Sequence, residues 1–198
     1  MNKALNIKNI SLLVVFAVIA GLLLFWVWGS FQSKTTSHSD IAYMPNIETL
    51  TQSSAVIVKG KIVNDGEARN LRRDSENPKN EAKTVEPGTD YAVEIEEVLN
   101  GELDTSSIIQ VAIGGGDYKG KSEPLQASVS KNQSYYFFLI PSSMGAPHYF
   151  GAGEPYIFEN NGINIYAVSN SSDFKRVFTE DGLVQDEFLA KIEQGRLE

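Results

Sequence analysis

The sequence predicts a mainly β (α+β) protein: a small β-barrel with one or two flanking helices, preceded by a single transmembrane helix. Three observations carry that prediction. Short β-branched and aromatic runs recur between Gly, Asn and Pro turn signals from residue 55 to residue 167. An uncharged apolar run extends from Ile10 to Trp28. Apolar residues at helical spacing return around Ile47 and Leu50, and again around Phe188.

The apolar run (ISLLVVFAVIAGLLLFWVW) covers nineteen residues. At about 1.5 Å per residue its helix reaches roughly 28 Å, close to the hydrocarbon thickness of a bilayer. Lys3 and Lys8 precede it, and no acid occurs before Asp40. Positive charge on the short side predicts a cytoplasmic N-terminus with the bulk of the chain outside, as a single-pass protein of the cell membrane. Trp26, Trp28 and Phe31 mark the outer interface. A cleaved signal peptide is the alternative. Its apolar core is shorter, about 7–15 residues, and it ends in small residues, whereas Trp28-Gly29-Ser30 puts a bulky ring there. The organisation expected is therefore residues 1–9 cytoplasmic, 10–28 a signal-anchor helix, 29–44 a Ser/Thr-rich stalk, and 45–195 an extracytoplasmic barrel domain.

The formal net charge is −8. Because Lys3 and Lys8 lie before the anchor, the remainder carries about −10, which repels phosphate backbones and makes nucleic acid a poor partner. The chain has no cysteine. Disulfides, thiolate metal sites and thiol nucleophiles are excluded, so the domain is held by its own core.

Pro45-Asn46 opens a short helix with Ile47 and Leu50 on one face. Residues 55–63 (AVIVKGKIV) read as a strand, with Gly60 marking a bulge or sharp bend. Residues 64–89 hold few large apolar groups and many charges of both signs, so a mobile loop is expected. Within it, Arg69–Arg73 is either an anion-binding patch or, with acids on both sides, a solvated loop. Residues 90–99 (DYAVEIEEVL) alternate, with Tyr91, Val93 and Ile95 on one face, until Glu97 breaks the pattern and predicts a bulge. Asn100-Gly101 signals a hairpin into residues 107–113 (SIIQVAI). Gly114-Gly-Gly116 ends that strand, and a long polar connection, 117–133, follows. Residues 134–140 (SYYFFLI) are apolar on both faces, as a central strand requires. Shorter strands are expected at 148–150, 156–158 and 163–167, with Asn160-Asn-Gly162 turning between the last two. Val184, Phe188, Leu189 and Ile192 predict a C-terminal helix capped by Gly195.

The patterns AVIVKGKIV, YAVEIEEVLNGEL, IIQVAIGGG and YYFFLI resemble those of a broad group of uncharacterised bacterial exported domains, many of them membrane-anchored. The strand order is similar to an OB-type barrel and to the netrin-like modules that include tissue inhibitors of metalloproteinases. The resemblance covers about residues 45–193. It implies an OB-like fold and no function. Those inhibitors act through a disulfide-pinned N-terminal cysteine, which this chain lacks, so protease inhibition is not implied.

The candidate site residues are His148, Tyr149, Glu154 and Tyr156, around the loop from Gly145 to Glu154. OB barrels stack ligands on outward aromatic rings, and half of Tyr135, Tyr136, Phe137, Phe138, Tyr149, Phe150, Tyr156 and Phe158 are expected to face outward. His148 with Glu154 falls short of a zinc set, the glutamates at 94, 96 and 97 fall short of a calcium cage, and the glycines at 114–116 lack the lysine and helix of a phosphate loop. No cofactor or metal is expected. The leading expectation is a non-catalytic binding module of unknown ligand, tethered to lipid through residues 10–28 and meeting a protein, peptide or glycan. An accessory subunit of a membrane complex is the alternative, with Ala17 and Gly21 giving a small-residue spacing for helix packing. A hydrolase using His148 as base is the third.

Overall fold

In a computed structural model, residues 42–77, 79–171 and 182–197 are described. The expected anchor from Ile10 to Trp28 and most of the stalk lie outside the described residues. Among the described residues no helix is long and apolar enough to cross a membrane.

The described residues open with a short helix, α1 (Ile47–Ser53), whose N-cap Asn46 accepts a hydrogen bond from the Thr49 amide at 2.7 Å. That bond satisfies one of the amides a helix start leaves open. Ile47 and Leu50 are buried, as their spacing requires. The strands β1 (Val56–Ile62), β2 (Glu67–Asn70), β3 (Pro87–Asn100) and β4 (Ile108–Gly114) follow, then β5 (Gly116–Tyr118), β6 (Lys121–Glu123), β7 (Ser134–Pro141) and β8 (His148–Gly151). The chain ends with β9 (Ile157–Asn160), β10 (Asn164–Ala167), β11 (Leu183–Val184) and α2 (Gln185–Leu197).

Five of these strands close a ring in the order β1-β3-β4-β8-β7, with β7 returning to β1. Every neighbour pair is antiparallel except β4 and β8, where Gln110 and Val111 run parallel to His148 and Tyr149. Counted along the chain, the ring strands lie 1-2-3-5-4, with the third and fifth parallel. That is the layout of a small OB-like barrel. Beyond the ring, β9 pairs with the first half of β7, and β10 and β11 extend that edge.

Alternation explains the core. Tyr91, Val93 and Ile95 of β3 and Ile109, Val111 and Ile113 of β4 point inward and are buried, while Glu94 and Glu96 stay outside. Lys59 pairs with Glu97 and Gly60 with Ile95, so one extra residue of β3 is bulged out where the sequence pattern broke. A Cβ on Gly60 would sit 2.4 Å from Val93 Cγ1, so the strands approach there only because position 60 has no side chain. At one end of the barrel Phe188 of α2 packs on Tyr136, Phe138 and Phe158, with ring centroids 5.1, 6.1 and 5.4 Å away. Full burial of one such ring contributes roughly 1.5–3 kcal/mol.

Five local expectations are corrected. Residues 64–89 are not a mobile loop. They carry β2, paired with residues 87–90 of β3, and Asn70 holds the rest. The Asn70 side chain accepts from the Arg72 and Glu86 amides and donates to the Ala82 and Thr84 carbonyls. One buried amide thus supplies the order that apolar residues would otherwise provide. The 117–133 connection contains the β5–β6 hairpin, turned at Lys119 and Gly120, both with positive φ. The β3–β4 hairpin forms, but through residues 101–107 rather than a two-residue turn. Gly195 lies inside α2, not at its cap, and faces α1: a Cβ there would lie 2.7 Å from the Glu48 carbonyl oxygen. Val184 sits in β11 and is exposed rather than on the buried face of the helix.

Candidate functional site

β2 extends the sheet beside the first residues of β3, and the 142–147 turn leads from β7 into β8. Strand alternation sends Asp90 outward beside Tyr91, and His148 and Phe150 outward on either side of buried Tyr149. Arg69 comes in from β2, which runs alongside β3 with Glu67 opposite Asp90 and Arg69 opposite Gly88.

These side chains form a largely buried charged cluster. Arg69 is 8% exposed, and its Nη1 lies 2.9 Å from Asp90 Oδ2. The same Nη1 donates to Met144 Sδ at 3.6 Å, and the guanidinium carbon sits 5.6 Å from the centre of the Phe150 ring. Several polar atoms in this cluster are shut off from solvent without a partner: Nε and Nη2 of Arg69, Nε of Arg73, Oδ1 of Asp90 and Nδ1 of His148. Each such atom costs about 1–3 kcal/mol if nothing meets it.

The charges act on one another. Burial pushes the Asp90 carboxyl above its ordinary range, while Arg69, His148 and Arg73 pull it back. Burial likewise weakens the hold of Arg69 on its proton, with Asp90 opposing and Arg73 adding to the loss. His148 is held below the usual imidazole range, first by burial and then by the positive charges of Arg69 and Arg73, with Asp90 opposing.

Beside the cluster a cleft of about 380 Å³ opens, lined by Leu71, Glu86, Ala112, Phe150, Ala152 and Tyr156 among others. Its walls are mostly apolar. Phe150 belongs to both features: the Arg69 guanidinium lies over its ring, and it also lines the cleft. A Cβ at Gly88 would lie 2.3 Å from Leu71, so the bare glycine is what lets Leu71 settle over the strand at the cleft wall. A second hollow of about 450 Å³ lies near the 101–107 connection, between Leu103, Asp104, Ile108 and Pro147.

The four residues singled out from sequence are dispersed. His148 joins Asp90 and Arg69. Tyr149 is 5% exposed and points into the barrel. Tyr156 is 3% exposed, donates its hydroxyl to the Ala112 carbonyl at 3.4 Å and reaches the cleft wall. Burial pushes its phenol far up. Glu154 is buried, and its backbone exchanges hydrogen bonds with Ala42 and Met44. The expected outward half of the aromatic set is corrected as well: Tyr135, Tyr136, Phe137, Phe138, Tyr149, Tyr156 and Phe158 are all buried, and Phe150 alone of that set is partly open. A barrel this small needs the rings as filling.

Sequence reasoning missed Arg69, Asp90 and Arg73 as one unit. The available signal was Asp90, the sole acid at the outward phase of the first half of β3, together with the two arginines upstream. Ser142, whose amide donates to the His148 carbonyl at 2.9 Å, is buried, and its hydroxyl accepts from the Met144 amide at 3.1 Å. Among the described residues no three His, Cys, Asp or Glu side chains are grouped to hold a metal ion. Comparison with protein-family models gives no match. Comparison with curated proteins gives no match either.

Proposed function

We propose that this chain is a non-catalytic binding module, tethered by residues 10–28 to the outer face of a cytoplasmic membrane, that takes a peptide, protein or glycan ligand in the cleft beside Phe150. The carrying observation is the position of that cleft. It opens on the outer face of the third and fifth barrel strands, β4 and β8, beside Leu71 and Glu86 of the first long connection. An apolar hollow with a few charged groups at one side is also the usual form of a recognition site. The tether rests on the uncharged run from Ile10 to Trp28 and on the lysines before it.

The test is an array of peptides and glycans probed with the full-length protein in detergent. Wild type is expected to select a subset of the array, and Ala152→Trp, which fills the cleft, to abolish that selection while the barrel stays folded. Selection unchanged by Ala152→Trp overturns the cleft. Exchange of residues 10–28 for an unrelated anchor is expected to leave selection intact; its loss supports a complex subunit instead.

A further inference from the structure

The second hollow shares no lining residue with the cleft beside Phe150. Both of its walls are fastened in place. The 101–107 connection is tied to β3: the Ser106 amide donates to the Ile95 carbonyl at 2.8 Å, and the Ile95 amide donates to the Ser107 carbonyl at 2.9 Å. The turn ahead of β8 is tied to β4, where the Gln110 amide donates to the Pro147 carbonyl at 2.8 Å. Binding there loses little to ordering the site. At about 450 Å³ the hollow falls within the size of ligand pockets, roughly 300–1,000 Å³.

Its lining divides into two chemistries. Leu103, Ile108 and Pro147 are apolar, and Ile108 is left 54% exposed at the start of β4. A single open aliphatic is ordinary on a protein surface. One that walls a hollow offers area to a partner. Glu102 and Asp104 supply two exposed carboxylates, and among the described residues no base lines the hollow. No ion pair among the described residues includes either acid. The Ser107 hydroxyl donates to the Asp104 backbone carbonyl at 2.7 Å and so does not serve its carboxylate. Glu94, opposite Ile108 on β3, is exposed as well. The base in that row is Lys61, opposite Glu94 on β1 and two strands from Ile108.

We propose that this hollow docks a basic peptide segment in which an arginine or lysine stands beside an aliphatic residue. The aliphatic side chain lies against Leu103, Ile108 and Pro147, and the cation faces Glu102 and Asp104. Apolar burial supplies most of the affinity, since ion pairs at an exposed rim contribute little on their own. The carboxylates supply selection: a cation is drawn in by a field that no lining base cancels, and an acidic segment is repelled. A polynucleotide is rejected at the same place, because its phosphates meet two carboxylates. The inference goes beyond the cleft reading, and neither depends on the other.

The test is calorimetric titration of the full-length protein in detergent, at fixed ionic strength and with empty micelles as the blank. Three acetylated and amidated pentapeptides are the probes: alternating leucine and arginine, leucine and glutamine, and glycine and arginine. The second keeps the aliphatic groups without the charge, and the third keeps the charge without the aliphatic groups. Saturable binding of the leucine–arginine peptide is expected, about fivefold or more tighter than either control. Glu102→Gln combined with Asp104→Asn alters two exposed side chains and leaves the fold intact. It is expected to weaken the leucine–arginine peptide to the level of leucine–glutamine, so that the two no longer differ. Ile108→Ser is expected to weaken both leucine peptides and to leave the difference between them. No saturable binding, equal binding of the glycine–arginine peptide, a charge preference that survives the double substitution, or insensitivity to Ile108→Ser overturns the proposal.

Discussion

Arg69 and Asp90 are bound across adjacent strands, Nη1 to Oδ2 at 2.9 Å, in a place where neither side chain is more than about a seventh exposed. Two desolvated charges gain little from each other relative to water, but each depends heavily on the other once buried. Asp90→Ala is therefore expected to cost about 3–5 kcal/mol, because it strands a guanidinium. The double substitution Arg69→Met with Asp90→Leu is expected to recover most of that loss. Urea unfolding of the two variants checks it, and a double variant no more stable than Asp90→Ala contradicts the reasoning.

The second prediction concerns pH. The folded state holds His148 below its ordinary range, so between the folded and unfolded values the unfolded chain binds more protons. Stability from this group is full above the unfolded value and is lost as pH falls through the histidine range toward the folded one. The midpoint of thermal unfolding is expected to fall between pH 7 and pH 5, and to fall less in His148→Gln. An equal fall in both chains would assign the effect elsewhere.

Gly195 offers a change of sign. In an exposed helix, Gly→Ala stabilises by about 1 kcal/mol. In α2 the added Cβ would lie 2.7 Å from the Glu48 carbonyl oxygen and 2.8 Å from Thr51 Cβ. The helices must separate, and the Lys191–Glu48 ion pair at 2.9 Å is strained with them. Gly195→Ala is expected to destabilise by roughly 1–3 kcal/mol, measured by denaturant unfolding.

Asn70 makes the fourth prediction. Asn70→Leu keeps the volume and removes the two donated and two accepted bonds that hold residues 72–86. Limited proteolysis is expected to cut that variant at residues 74–80 well before wild type, with the barrel fragments surviving. No change in the cleavage pattern would mean that β2 alone orders the segment.

The barrel was legible because its strands obey period two: Tyr91, Val93 and Ile95 announce a face, and the glutamates between them announce the other. The bulge opposite Gly60 was legible for the same reason, as a break in phase at Glu97. The charged cluster was not. Arg69 meets Asp90 only because β2 folds back along β3, and a register between strands is invisible in a one-dimensional pattern. Composition also misled at residues 64–89, where a single asparagine does the ordering. The aromatic set was read by kind rather than by volume; Tyr149, Tyr156 and Phe158 are needed inside, and the group that meets the cleft from the strand face is Phe150.

Closure of the ring between β1 and β7 has a consequence for behaviour at high concentration. Strands with an unpaired side offer a template on which another molecule can add, the first step towards aggregation. Among the described residues every ring strand is hydrogen-bonded on both flanks, and the strands left with one partner, β2, β5, β6 and β11, run only two to four residues. Copies crowded side by side would therefore find little backbone on these strands to zip together.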